Sequence, residues 1–192
     1  MIDSSPLAMA IAAAVSLVLI WAAVCDIRER IIPNRAVLAL LGLYVIWAAA
    51  SLGRPLAPGL EAFGVALLVT ILLYAFKIVG AGDSKLFAVT ALFVGMGYLP
   101  LFALATALAG GVIAAVSLVT RPQRAAVMFA LKGRGDFGRG VPYGVAIAIG
   151  GIAVMWSAMA GVLAPYGHGK AAPIRAHDLA RTLAVPAVKP SQ

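Results

Sequence analysis

Residues 86 to 120 read LFAVTALFVGMGYLPLFALATALAGGVIAAVSLVT, and no charged side chain occurs between Lys85 and Arg121. A helix that crosses about 30 Å of hydrocarbon needs roughly 20 apolar residues, so this run is too long for one crossing. The cluster GMGYLP at 95–100 interrupts the run with two glycines and a proline, which are typical of a turn. We therefore predict two short membrane helices that are joined by a tight turn at this cluster.

The composition of the whole chain agrees with a membrane protein. Of its 192 residues, 63% are hydrophobic and 11% are charged, and the mean hydropathy is +1.03. A soluble domain has about 25% charged residues. Apolar runs bounded by charge, Pro or Gly predict six spans: 7–25, 36–52, 60–79, 84–99, 101–119 and 142–164. We predict an all-α, polytopic integral membrane protein with about six transmembrane helices.

The predicted spans leave little room for a second domain. We expect one membrane-embedded domain over 1–166 and a basic, flexible tail over 167–192. The single cysteine, Cys25, and the two tail histidines, His168 and His177, offer no metal-binding cluster. We therefore expect neither a metal nor an organic cofactor.

The positions of Lys and Arg predict the orientation in the membrane. The formal net charge is +8, and the bases lie in short segments between spans and in the tail, without interleaved aromatic residues. This pattern indicates a lipid bilayer as the partner and argues against nucleic acid. With the N-terminus outside, the outer loops between spans hold only Arg54, while the basic tail outside runs against the bias. The segment 121–140 is then expected to lie along the cytoplasmic interface.

Two of the seven acids adjoin helix ends that this orientation places at the cytoplasmic face. Asp26 ends the first span, and Asp83 opens the fourth span in the sequence VGAGDSKL at 79–86. At about 4 Å and an effective dielectric near 20, two carboxylates repel by roughly 4 kcal/mol, so one tends to keep a proton. An ionised and a protonated carboxyl group can activate water and polarise a carbonyl. The pair therefore predicts an aspartic protease site.

Other interpretations of these acids stay open on the residues alone. Either acid can be an ordinary interfacial charge, and Asp83 or Ser84 can simply cap the fourth helix. A non-enzymatic transporter or assembly factor could also use Asp26 and Asp83 to bind a cation or carry protons.

Three motifs together resemble one known family. They are Asp26 followed by Pro33 and Asn34, then Gly80, Gly82, Asp83 and Lys85, then Pro142, Tyr143 and Gly144 at the start of the last span. Their order and spacing resemble the type IV prepilin peptidases, also called leader peptidases. The short length is most similar to the CpaA/TadV-like branch, which is associated with Flp-type pili.

The resemblance implies a multi-pass aspartic endopeptidase of the inner (plasma) membrane. It would remove the leader peptide of a prepilin or pseudopilin, whose mature N-terminus is an apolar helix, at the cytoplasmic face. Asp26 and Asp83 would be catalytic. The family pattern makes Pro33, Asn34, Gly80, Gly82, Lys85, Pro142, Tyr143 and Gly144 substrate-binding or site-shaping residues.

Two comparisons refine this expectation. Larger members of the family carry a cytoplasmic domain with paired CxxC motifs and methylate the new pilin terminus. These 192 residues contain one cysteine, so we expect cleavage without methyl transfer. A presenilin-like intramembrane aspartyl protease also shares the GxGD motif, but it typically pairs the motif with Tyr-Asp, whereas Asp26 follows Cys25.

Overall fold

A computed structural model describes residues 5–50, 56–120 and 142–165, and in these ranges the protein contains helices and no strand. The helices are α1 (Pro6–Glu29), α2 (Asn34–Ala50), α3 (Ala57–Ala75), α4 (Ala81–Val94), α5 (Leu99–Thr120) and α6 (Tyr143–Met159). A short 3₁₀ turn, Met96–Tyr98, joins α4 to α5. The prediction of an all-α membrane protein is confirmed.

The six helices follow the six predicted spans in order, but they differ in length. Three apolar segments are long enough to cross a membrane, namely α1, α3 and Met96–Ser117. Helices α2 and α6 are apolar and shorter, with 17 residues each, and α4 has only 14 residues. The predictions for 121–140, for the tail 167–192 and for the loop with Arg54 lie outside the described residues.

The break in the long uncharged run is confirmed, but it lies earlier than Pro100. Helix α4 ends at Val94 because Gly95 has a φ of 77°, a left-handed conformation that costs glycine little. Pro100 lies in the first turn of α5, where its missing N–H removes no helical hydrogen bond. The predicted span 84–99 is therefore a helix over 81–94 followed by a separate turn.

Helix α4 lies at the centre of the bundle. It packs against α2, α3, α5 and α6, and every residue from Ala88 to Val94 is buried. A helix that is apolar on all sides is stable in such a position because each of its faces meets another helix. The polar first turn of α4 is therefore held in place by a fully packed apolar stretch.

Helix α6 approaches its neighbours through two glycines. A Cβ atom at Gly150 would lie 2.5 Å from the Thr106 Oγ1 atom and 2.9 Å from the Thr106 backbone nitrogen of α5. A Cβ atom at Gly151 would lie 2.7 Å from the Thr90 Cγ2 atom of α4. Small residues of this kind allow helices in a membrane to pack backbone against backbone. The position of α6 against α4 and α5 is thus set by these contacts.

The connections bring three short polar segments to one end of the bundle. At that end α1 finishes, and α2, α4 and α6 begin. At the opposite end the Tyr98 hydroxyl donates to the Leu163 carbonyl (3.3 Å), and the Tyr44 hydroxyl donates to the Leu56 carbonyl (3.4 Å). The segments 26–34, 80–85 and 142–144 are therefore neighbours, although more than a hundred residues separate the first from the last.

Candidate active site

Asp26 lies in the last turn of α1 and is buried, with 7% of its surface exposed. Its Oδ2 atom accepts a hydrogen bond of 2.8 Å from the backbone N–H of Gly144, in the first turn of α6. Pro142, the N-cap residue of α6, makes no side-chain cap hydrogen bond. A carboxylate of α1 therefore binds the positively polarised N-terminus of α6.

Gly144 leaves the space that the Asp26 carboxylate occupies. A Cβ atom at this position would lie 2.9 Å from Asp26 Oδ2 and 3.1 Å from Asp26 Cβ. Any larger residue would push the carboxylate away from the N–H that holds it. Gly144 of the third motif therefore contacts Asp26 of the first motif directly. Its backbone N–H binds the carboxylate, and its lack of a side chain leaves room for that carboxylate.

Asp83 lies in the first turn of α4, just ahead of the predicted span 84–99. Its carboxylate accepts a hydrogen bond from the backbone N–H of Gly80, the N-cap residue. Burial, and secondly the charge of the nearby Asp26 carboxylate, raise the pKa of Asp83 to about 6. Asp26 is thus close enough for its charge to influence the ionisation of Asp83.

The first two motifs also meet through apolar contact. A Cβ atom at Gly82 would lie 3.3 Å from the Cβ atom of Ile32, so the chain after α1 packs closely on the first turn of α4. The Pro33 carbonyl accepts from the Ala36 N–H (2.9 Å), and Asn34 is the exposed first residue of α2. Pro33 and Asn34 therefore lie where α2 starts.

Lys85 and Tyr143 lie at the edge of the site. Lys85 is exposed on the first turns of α4. Tyr143 is 40% exposed, and its ring lies against α5, where a Cβ atom at Gly110 would be 3.3 Å from the ring. Both side chains face the surface at the end of the bundle that holds the acids.

A hydroxyl pair beside Asp83 was not predicted from the sequence. Ser84 and Thr70 are both buried, with 5% exposed each, and they exchange hydrogen bonds between α4 and α3. Little in the sequence indicated this pair, because a single threonine or serine is common in membrane helices. The position of Ser84 directly after Asp83 was the one sequence feature that could have drawn attention to it.

The arrangement offers acid–base chemistry. Two carboxyl groups, one held by a helix N-terminus and one half-buried beside it, can share a proton. Within the described ranges, no group of three or more His, Cys, Asp or Glu residues forms a metal-binding cluster. The two carboxyl groups offer the acid and the base that activation of a water molecule requires.

The model of the type IV leader peptidase family matches residues 13–115. This range includes Asp26 with most of α1, and Asp83 with all of α4. The match ends before Gly144. Comparisons with curated proteins and with solved structures found no match.

Proposed function

Since the chain belongs to the type IV leader peptidase family, we propose that it is an aspartic endopeptidase whose catalytic pair is Asp26 and Asp83. The observation that carries this proposal is the position of the two acids at the same end of the bundle. They come from separate helices, the charge of Asp26 contributes to the raised pKa of Asp83, and the N-terminus of α6 binds Asp26. A family of leader peptidases needs a hydrolytic site, and this pair is suited to hydrolysis.

The two acids have complementary roles in this proposal. The ionised carboxylate removes a proton from a water molecule, which attacks the carbonyl carbon of the scissile peptide bond. The protonated carboxyl group donates a hydrogen bond to the carbonyl oxygen as negative charge develops there. Its proton then passes to the leaving amine as the C–N bond breaks, and the pair is left with one proton in total. Repulsion between the groups keeps that single proton on the pair.

The substrate is a prepilin or pseudopilin with a short leader and an apolar N-terminal helix. Such a helix lies in the bilayer next to the apolar surface of this protein, and its leader reaches the end of the bundle where the acids lie. The arginines and lysines between the spans support a site at the cytoplasmic face of the inner membrane. The similarity to the CpaA/TadV-like branch supports Flp-type pilins as substrates, cleaved without methyl transfer. The remaining motif residues would shape the site.

The alternative of a small transporter is less well supported. Essential acids of a transporter are expected along a path near the middle of the bilayer. Asp26 and Asp83 instead lie at one end of the bundle, beside helix termini.

The proposal is tested by cleavage of a candidate substrate. The full chain is expressed in membranes together with prepilins of the Flp type, and the product is identified by N-terminal sequencing. We expect a new N-terminus at the start of the apolar helix, which appears only when this protein is present. Intact precursors with every candidate, in membranes that contain the folded protein, would contradict the proposed function.

A further inference from the structure

The N-terminal turn of α4, which carries Asp83, is tied to α3 by two buried hydroxyl groups. The Ser84 hydroxyl lies 3.3 Å from the Thr70 carbonyl and 3.0 Å from the Gly80 carbonyl. The Thr70 hydroxyl lies 3.4 Å from the Ser84 carbonyl and 2.7 Å from the Ala66 carbonyl. Each hydroxyl therefore divides its single proton between a nearer carbonyl of its own helix and a more distant carbonyl of the facing helix.

These contacts hold the backbone before and after Asp83, the proposed catalytic residue. Gly80 is the N-cap residue whose N–H binds the Asp83 carboxylate, and its carbonyl accepts from both the N–H and the hydroxyl of Ser84. Ser84 follows Asp83 directly, so a shift of Ser84 moves the Asp83 backbone. The two hydroxyls thus hold the backbone that carries the Asp83 carboxyl group.

Helix α3 has few neighbours in the described bundle besides α4. It packs mainly on α4, and much of its remaining surface is exposed, as at Leu68 and Leu72. Apolar side chains alone allow small sliding between two membrane helices, because lipid can replace most of these contacts. A reciprocal polar contact defines one register.

We infer that Thr70 and Ser84 are positioning residues, which hold the first turn of α4 against α3 so that Asp83 meets Asp26 in catalytic geometry. This inference rests on the proposed protease function. Neither hydroxyl touches the substrate in this account, and their effect passes through Asp83. A misplacement of about 1 Å in a catalytic group can reduce the rate by about a hundredfold, so loss of the contact affects turnover before it affects binding.

The variants are Thr70→Val, Ser84→Ala and the double variant. Thr90→Val is the matched control, because Thr90 is also buried on α4, with 1% exposed, and its hydroxyl donates to the Leu86 carbonyl of its own helix (2.7 Å). Thr70→Ser keeps the hydroxyl and serves as the rescue variant. Cleavage is measured per folded molecule, with kcat and KM determined separately.

We expect kcat to fall about tenfold in each single variant with little change in KM, and the double variant to be no worse than the more affected single variant. Thr70→Ser and Thr90→Val should remain near the parental rate. The Tm of the protein is expected to change as Asp83 ionises. The pH midpoint of that change should also shift in Thr70→Val and Ser84→Ala, because the distance from Asp83 to Asp26 changes. This shift can be measured even without substrate.

Parental kcat in the double variant, together with an unchanged pH dependence of stability, would overturn the inference while leaving the protease proposal intact. Failure of the proposed function is a different result, namely cleavage at the parental rate by Asp83→Asn. The two failures are therefore separable in one set of assays.

Discussion

At the residue scale, the two acids of the site are held in different ways. Asp26 is bound by another helix, through the Gly144 N–H, whereas Asp83 is bound by its own helix, through Gly80. The sequence motifs predicted both acids. They did not predict the Gly144 contact, because a hydrogen bond between residues 118 positions apart depends on how α1 and α6 pack.

Substitution of Gly144 by Ala tests the contact with Asp26. The added Cβ would lie 2.9 Å from Asp26 Oδ2, so we expect the carboxylate to move and kcat to fall by about a hundredfold with little change in KM. Gly64→Ala on α3 is the control, because a Cβ there meets nothing within 4 Å. Equal kcat values for the two variants would show that the Gly144 contact does not position Asp26.

Substitution of Asp83 by Asn tests the raised pKa of Asp83 without any substrate. The pKa of Asp83 is raised from 3.8 to about 6 in the folded protein, so the folded state binds the proton more tightly than the unfolded state does. Protonation therefore stabilises the fold as the pH falls through 6, and that stability is lost as the pH rises through 6. The amide side chain of the variant carries no charge at any pH.

We accordingly expect Asp83→Asn to have a higher Tm than the parent at pH 8, with the difference disappearing near pH 4. The measurement is thermal unfolding in detergent across this pH range. A lower Tm than the parent at pH 8 would contradict the raised pKa of Asp83, which burial causes first and the Asp26 charge second.

At the element scale, the site depends on how helices α4 and α6 are placed by apolar packing. The helix pattern was predictable because long apolar runs bounded by charge and Gly or Pro define membrane helices. The break between α4 and α5 was predicted at the right cluster, but the last residue of α4 was not. That residue is set by the left-handed conformation at Gly95, one of several Gly and Pro candidates in the cluster.

Gly150→Ala tests the packing of α6 on α5. The added Cβ would lie 2.9 Å from the backbone nitrogen of Thr106, and a backbone atom cannot turn aside as a side chain can. We expect a loss of about 1–3 kcal/mol in unfolding free energy, measured as a lower Tm in detergent.

Gly111→Ala provides the matched change on α5, since a Cβ at Gly111 meets nothing within 4 Å. This control should be neutral or stabilising, because alanine favours helix formation over glycine by about 1 kcal/mol. If Gly150→Ala were as stable as Gly111→Ala, the close approach of α5 and α6 would be wrong.

At the scale of the whole molecule, the helices alternate in direction, and the polar residues of three distant segments therefore lie at one end of an apolar bundle. The sequence could place Asp26 and Asp83 on the same side because both adjoin span ends with basic neighbours. It could not show that α1 and α4 are bridged by α6, since periodicity carries no information on which helices are neighbours. That arrangement places Asp26 and Asp83 at the same end of the bundle, where the charge of Asp26 contributes to the raised pKa of Asp83.

The central claim is that both acids are required for peptide hydrolysis, and their separate replacement by amides tests it most directly. Asp26→Asn, Asp83→Asn and the control Glu61→Gln, an exposed acid of α3 near the opposite end, are compared in membranes with a prepilin that the parent cleaves. Each site variant should leave the precursor uncut. The rate should fall at least a thousandfold, which corresponds to an increase of about 4 kcal/mol in the activation free energy, while Glu61→Gln cleaves normally. Cleavage at the parental rate by either Asp26→Asn or Asp83→Asn would contradict the account.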